Sequence, residues 1–259
     1  LGHTRLSIID TSDNGKQPFE SQESKSVITF NGEIYNYKEL KKDLLAKKCG
    51  FNSNTDTEVL LNLYDNKGYD AINYLNGIYA FAIWDPKSNS IFLSRDKMGV
   101  KPLYYFQSDG YFAFSSELKA LLTIIPEKNE IDLECIHRYL SFLWSPGDST
   151  PIKGIKKLLP GESLVIKNSK VFKRWHLDDT KTTESVFTKI ESINNTDKFL
   201  RNAVHSQMVS DVPLGAFLSG GLDSSSIVTF AREINPRIEC FTIDIEGGFG
   251  EGFSDDLPY

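Results

Sequence analysis

Along the first 125 residues, short apolar segments with β-branched bulk alternate with segments whose apolar residues recur every three to four positions. Val27–Phe30 reads as a strand. From Tyr37 to Lys48, Leu40 and Leu44 lie four apart with Gly50 beyond, which predicts a helix. Thr57 is the expected cap of the next helix, whose apolar face is Leu60, Leu61 and Tyr64 and whose stop is Gly68. Four closely spaced strands are then predicted at Ile78–Trp84, Ser90–Leu93, Leu103–Phe106 and Tyr111–Phe114, with turns at Asp85-Pro86 and Asp109-Gly110. An antiparallel meander with helices packed on it is an α+β pattern. Ile131–Leu143 predicts a further helix, and Leu158–Gly161 a turn into a hairpin that reaches Val171.

The pattern changes after residue 176. Residues 177–195 are rich in Thr, Ser, Asn, Asp and Lys and read as an interdomain linker. Beyond them, Phe199 or Leu200, Val204 and Met208 fall at helical spacing. Val212–Leu218 is expected to be a buried strand, and Ser219–Ser225 its following loop. A helix through Ile227, Val228 and Ala231 then leads to a strand at Cys240–Ile245. Strand, loop, helix and strand in that order begin a parallel α/β domain.

With 40% hydrophobic and 25% charged residues the chain can form an ordinary globular core. A net charge of -6 argues against a nucleic-acid or anionic-membrane surface. Apolar runs such as Ile78–Trp84 are far short of the ~20 residues of a membrane span. Cys49, Cys135 and Cys240 are an odd set without regular spacing. They match neither a disulfide framework nor a zinc pattern, and buried, inert thiols of a cytoplasmic protein are expected. The chain starts at Leu1 and runs out in a loop-like stretch, so it is expected to be part of a longer protein.

The segment Ser219-Gly220-Gly221-Leu222-Asp223-Ser224-Ser225 stands between a strand and a helix. Its glycines allow a sharp turn and close approach of the backbone. Successive N–H groups and the helix N-terminus attract an anion. The hydroxyls add donors, and Asp223 points to a bridging Mg2+. A Gly-Lys-Ser/Thr ending is absent, so this is not a Walker A loop. A second segment, Phe30-Asn31-Gly32-Glu33-Ile34-Tyr35-Asn36, follows a strand. Asn31-Gly32 alone reads as a hairpin turn. It also carries the two donors, a side-chain amide and a backbone N–H, that a tetrahedral oxyanion needs.

The seven-residue loop resembles the pyrophosphate loop of ATP pyrophosphatases. The Asn-Gly-Glu segment resembles that of class II glutamine amidotransferases, whose nucleophile is an N-terminal cysteine. Leu1–Asp10, Asn54–Glu58, Asn76–Asp85, Ser94–Tyr105 and Phe114–Ala120 are similar to stretches of the same family. Together these motifs identify the chain as resembling the glutamine-hydrolysing asparagine synthetase family.

The resemblance implies an N-terminal-nucleophile-type αββα sandwich, lacking its first strand, over residues 1–176. It implies the start of an ATP-pyrophosphatase domain over residues 196–259. Asn31 and Gly32 are then the oxyanion hole. Arg5 grips the substrate α-carboxylate, as suits a guanidinium fork, Asp56 pairs with its α-ammonium, and Glu33 is a further contact. Leu218, Ser219, Gly220, Gly221, Asp223, Ser224, Ser225 and Ile243 meet ATP, and Asp223 meets Mg2+ through the diphosphate. No cysteine of the chain fits the nucleophile, so the piece by itself is expected to be inactive. L-Glutamine and aspartate, or another carboxylate such as a surface-polysaccharide sugar acid, are the implied substrates. A homodimer is an assembly the resemblance allows. A non-catalytic nucleotide-binding protein derived from a synthetase is the alternative of a different class. Arg95, Asp96 and Glu117 are expected to be structural or to face another domain, and His3, His137, His176 and His205 to be structural or superficial.

Overall fold

The computed structural model describes residues 1–125, 130–177 and 186–243. The chain divides into two compact units, Leu1–Thr182 and Thr183–Tyr259.

Unit 1 begins with β1 (Phe19–Glu20), β2 (Val27–Ile34), α1 (Tyr37–Ala46) and α2 (Asp56–Lys67). Four strands follow: β3 (Gly77–Asp85), β4 (Ser90–Arg95), β5 (Tyr104–Ser108) and β6 (Tyr111–Ser115). Then come α3 (Leu118–Leu122), α4 (Leu133–Phe142), β7 (Ile155–Lys157), β8 (Glu162–Lys167) and β9 (Lys170–His176). Two antiparallel sheets result, a six-stranded one in the order β1-β2-β3-β4-β8-β9 and a three-stranded one in the order β6-β5-β7.

The sheets pack face to face because strand alternation puts apolar side chains on their inner surfaces. Ala80, Ala82, Leu93, Leu164 and Ile166 of the large sheet meet Leu103, Tyr105 and Leu158. The opposite face of the large sheet carries Phe81, Ile83 and Phe92. Phe92 lies against Tyr64 of α2 with ring centroids 5.8 Å apart. Outside the small sheet, Leu121 of α3 closes over Phe106, Ala113 and Ile155. The layers therefore run helix, sheet, sheet, helix, the αββα order that the resemblance implied.

Several local expectations are corrected. Val27–Phe30 extends through Ile34, so Asn31-Gly32 is strand rather than hairpin turn. The cap of α2 is Thr55, not Thr57: Thr55 has extended φ/ψ, and its hydroxyl accepts from Glu58 N at 3.1 Å. Gly68 ends that helix with φ 61°, as predicted. Among the cysteines only Cys135 is buried; Cys49 is partly exposed and Cys240 exposed.

In unit 2, α5 (Lys189–Gln207) precedes β10 (Gly215–Phe217), α6 (Leu222–Ile234) and β11 (Glu239–Phe241). Thr188 and Glu191 form a reciprocal capping box, so residues 189–195, read as linker, are helical. Residues 178–185 of that stretch lie outside the described residues, as do Asp244 and Ile245 of the last predicted strand. β10 and β11 pair in parallel with α6 between them, the expected crossover unit. β10 is not buried: Phe217 is 82% exposed, since among the described residues the sheet has two strands. No helix of the described residues is long and apolar enough to cross a membrane.

Candidate active site

The first wall of the site is the loop that begins at Arg5. Its guanidinium donates to the carbonyls of Ile9 (2.8 Å), Asp10 (2.7 Å) and Ser12 (3.2 Å). The Asp10 carboxylate accepts from Ser12 N and Oγ and, 44 residues on, from Asn54 N at 2.8 Å. These hydrogen bonds hold the Asp10 carboxyl below the usual carboxylate range. Gln17 joins the loop to the sheet by exchanging both amide bonds with the Phe30 backbone, at 2.6 and 3.1 Å, much as a neighbouring strand residue would. Its Nε2 also reaches Thr57 Oγ1.

The second wall is the start of α2. Buried Glu58 accepts from Asn52 N, Ser53 N and Ser53 Oγ, which shapes the turn before Thr55. Asp56 follows at the first helical position, 5% exposed, and its Oδ2 accepts from Ile34 N at 3.0 Å. Burial, abetted by the Glu33 charge, raises the Asp56 carboxyl to about 6. A helix N-terminus favours the anion there, but not enough to cancel the desolvation.

The third wall is β2, where Asn31, Gly32 and Glu33 pair with Ala80, Tyr79 and Ile78 of β3. Gly32 has φ 154°, and a Cβ there would stand 2.1 Å from the Ile78 carbonyl oxygen. Only glycine allows this approach. Burial raises the Glu33 carboxyl, and the Lys101 charge partly offsets it.

Arg95 and Asp96 hold the turn that brings in Lys101. Arg95 donates to the carbonyls of Gly99, Lys101 and Leu158. Buried Asp96 accepts from the backbone N–H groups of Tyr79, Met98, Val100 and Lys101. Their role is structural, one of the two readings the sequence left open. Exposed Glu117 stands just before α3, at the cleft.

A cleft of about 590 Å³ lies between these walls. It is lined by Arg5, Asn31, Gly32, Glu33 and Asp56, all five residues that the sequence proposed for glutamine. They come from three segments and form one surface. Gln17, Lys101 and His3 also line it and were not singled out from the sequence as site residues. Burial lowers the His3 pKa. The Ser94–Tyr105 resemblance drew attention to the segment containing Lys101 without distinguishing the lysine. No cysteine lines the cleft.

The phosphate-loop residues gather at the N-terminus of α6. Leu218 directly follows β10 and donates its N–H to the Phe241 carbonyl at 2.8 Å. Gly220 has φ 77°, and Gly221 is the helix cap without a side chain. Ser224 Oγ lies 3.1 Å from Ser219 Oγ and accepts from Ser219 N, closing the loop on itself. Ser225 N–H donates to the Gly221 carbonyl. Asp223 is exposed in the first turn. Ile243 lies just past β11, 76% exposed. Glycine backbone, hydroxyl donors and one carboxylate suit a diphosphate with a hard cation. No cluster of three metal-ligating side chains occurs among the described residues.

Comparison with known proteins adds two family matches. Residues 1–176 match the glutamine amidotransferase domain model, and residues 195–259 match the asparagine synthase model. A putative glutamine-hydrolysing asparagine synthetase 2 of Methanocaldococcus jannaschii is 39% identical over 280 residues, covering 100% of this chain and 52% of that protein. Glutamine-hydrolysing asparagine synthetase 1 of Bacillus subtilis is 38% identical over 257 residues, covering 98% of this chain and 40% of the relative. The chain thus spans about half, or less, of the length of these relatives. Among solved structures, the B. subtilis glutamine phosphoribosylpyrophosphate amidotransferase with ADP and GMP aligns at 19% identity and a TM-score of 0.48, over 93% of this chain and 50% of that one.

Proposed function

The chain belongs to the glutamine amidotransferase domain family, and on that premise we propose that its cleft binds L-glutamine for hydrolysis to glutamate and ammonia. The observation that carries this reading is the convergence of Arg5, Asn31, Gly32, Glu33 and Asp56 on one cleft. Arg5 takes the substrate α-carboxylate through the N–H groups that its three carbonyl bonds leave over. Asp56, buried and without a cationic partner among the described residues, takes the α-ammonium, and Glu33 flanks it. The Asn31 amide and the Gly32 N–H stabilise the oxyanion that forms at the side-chain amide carbon. Preorganisation supports that role, since the β3 register leaves the Asn31-Gly32 backbone little freedom. The nucleophile is assigned to no residue of this chain.

In the longer enzyme, the ammonia would meet a carboxylate activated by ATP. The Ser219–Ser225 loop, with Leu218 and Ile243, would seat the nucleotide. Asp223 would hold Mg2+ against the diphosphate, where the ion would offset negative charge. Aspartate is the proposed acceptor, giving asparagine, AMP and pyrophosphate. The match of residues 195–259 to the asparagine synthase model and the names of the curated relatives support this. Net charge -6 accords with small-molecule substrates rather than nucleic acid.

Titration calorimetry of the chain with L-glutamine tests the cleft. Saturable binding that Asp56→Asn abolishes is expected; no heat at millimolar glutamine would defeat the assignment. ATP–pyrophosphate exchange dependent on aspartate, measured on the longer protein, tests the second half.

A further inference from the structure

Gly15 closes a short 3-10 turn, Asp13–Gly15, and is buried. Its φ is not among the positive values, so the chain does not need glycine there for its backbone angles. The constraint is space. An added Cβ would lie 2.4 Å from Arg5 Nη2, 2.7 Å from Arg5 Cζ and 2.7 Å from Thr55 Cγ2. Carbon atoms in contact sit at about 3.5–4.0 Å, so at least one neighbour would have to move.

Those neighbours belong to the two opposed anchors of the cleft. Arg5 is the proposed carboxylate grip. Thr55 caps α2 and immediately precedes Asp56, the proposed ammonium grip. The same two segments are tied by the Asp10–Asn54 bond at 2.8 Å and by Gln17 to Thr57 at 3.3 Å. Gly15 therefore sits where the Arg5 loop and the start of α2 touch.

We propose that Gly15 is a positioning residue whose missing side chain sets the separation between the Arg5 guanidinium and the Asp56 carboxylate. This rests on the reading of the cleft as a glutamine site and deepens it. An α-amino acid carries carboxylate and ammonium on one carbon, so the two grips have to be held at a fixed separation. A methyl at position 15 forces the guanidinium, the far end of a flexible side chain, off its three carbonyls. That displacement takes the guanidinium away from the substrate carboxylate.

The test is calorimetry on the whole chain with two ligands, L-glutamine and 4-aminobutanamide, which is glutamine without its α-carboxylate. Gly15→Ala is expected to weaken L-glutamine by about tenfold or more, the scale of a lost charge-assisted contact. It is expected to leave 4-aminobutanamide within about twofold. Unaltered L-glutamine affinity, or equal weakening of both ligands, overturns the proposal. Should Gly15→Ala not fold, the pair Gly15→Ala with Thr55→Ser keeps the capping hydroxyl while removing the Cγ2 contact, and the same ligand ratio decides. A wild-type chain that takes up no L-glutamine sinks the cleft reading itself, which is distinct from a variant that binds as the wild type does.

Discussion

Replacing Asp56 by Asn should make the protein more stable at neutral pH while removing its affinity for glutamine. Asp56 is 5% exposed, and burial raises its carboxyl from 3.8 to about 6. A native acid with a raised pKa keeps its proton where the unfolded chain has lost it. Between pH ~4 and ~6 the native state therefore binds more protons, and stability falls as pH rises through this window. Above about pH 6 both states are ionised and the cost is constant. A shift of about two units at 1.36 kcal/mol each amounts to roughly 3 kcal/mol. Asn has nearly the same shape, can still accept from Ile34 N through its carbonyl oxygen, and carries no charge to desolvate. The variant should thus gain up to about 3 kcal/mol at pH 8, and the gain should fade towards zero near pH 4. For a unit of this size, that corresponds to a rise of about 6–12 °C in Tm at pH 8. Urea unfolding followed by tryptophan fluorescence at pH 4, 6 and 8, with glutamine calorimetry alongside, measures both effects. An Asp56→Asn protein no more stable than wild type at pH 8, or one whose advantage is the same at all three pH values, would show that Asp56 is not held charged at an energetic cost. The rationale for keeping such a residue would then be gone.

Three further outcomes follow from neighbouring contacts. Glu33→Gln removes the like charge that helps to raise Asp56; the pH midpoint of the stability change should move to lower pH, read from the same unfolding series. Gly32→Ala puts a Cβ 2.1 Å from the Ile78 carbonyl oxygen, and should cost about 3 kcal/mol or more by forcing β2 from β3; hydrogen exchange at Ile78 and Ala80, which pair with Glu33 and Asn31, would reveal the loosened ladder, and unchanged protection would contradict the geometry. Thr55→Ala deletes the hydroxyl that receives Glu58 N and should lower stability by about 1–2 kcal/mol, whereas Thr57→Ala should do less because Thr57 does not cap the helix.

Much of the secondary structure was readable because it depends on neighbours in the chain. Tyr37–Ala46 forms from the four-residue spacing of Leu40 and Leu44, and Gly68 ends α2 by adopting a positive φ. The capping box of Thr188 and Glu191 was equally local, yet its signal was hidden in a stretch judged by polar composition. Burial was harder to read. Val212–Leu218 is apolar enough for a core strand, but exposure depends on what lies against it, and that is not written in the segment.

The sequence by itself determined the chemical repertoire: a glycine-rich turn with hydroxyls between strand and helix, an Asn-Gly-Glu segment, and the charges Arg5 and Asp56 around it. Tertiary structure decided which of these meet. It carried β2 straight through Asn31-Gly32 as a strand, because pairing with β3 outweighed the turn preference of that dipeptide. It also brought Asp10 to Asn54, Gln17 to Phe30, and Lys101 into the cleft through the Asp96 turn. Hydrogen bonds between residues so far apart leave no local periodicity. Their partners are selected by the packing of two sheets and a helix, so the shape of the cleft and the raised pKa of its buried carboxylate exist only once the chain has folded.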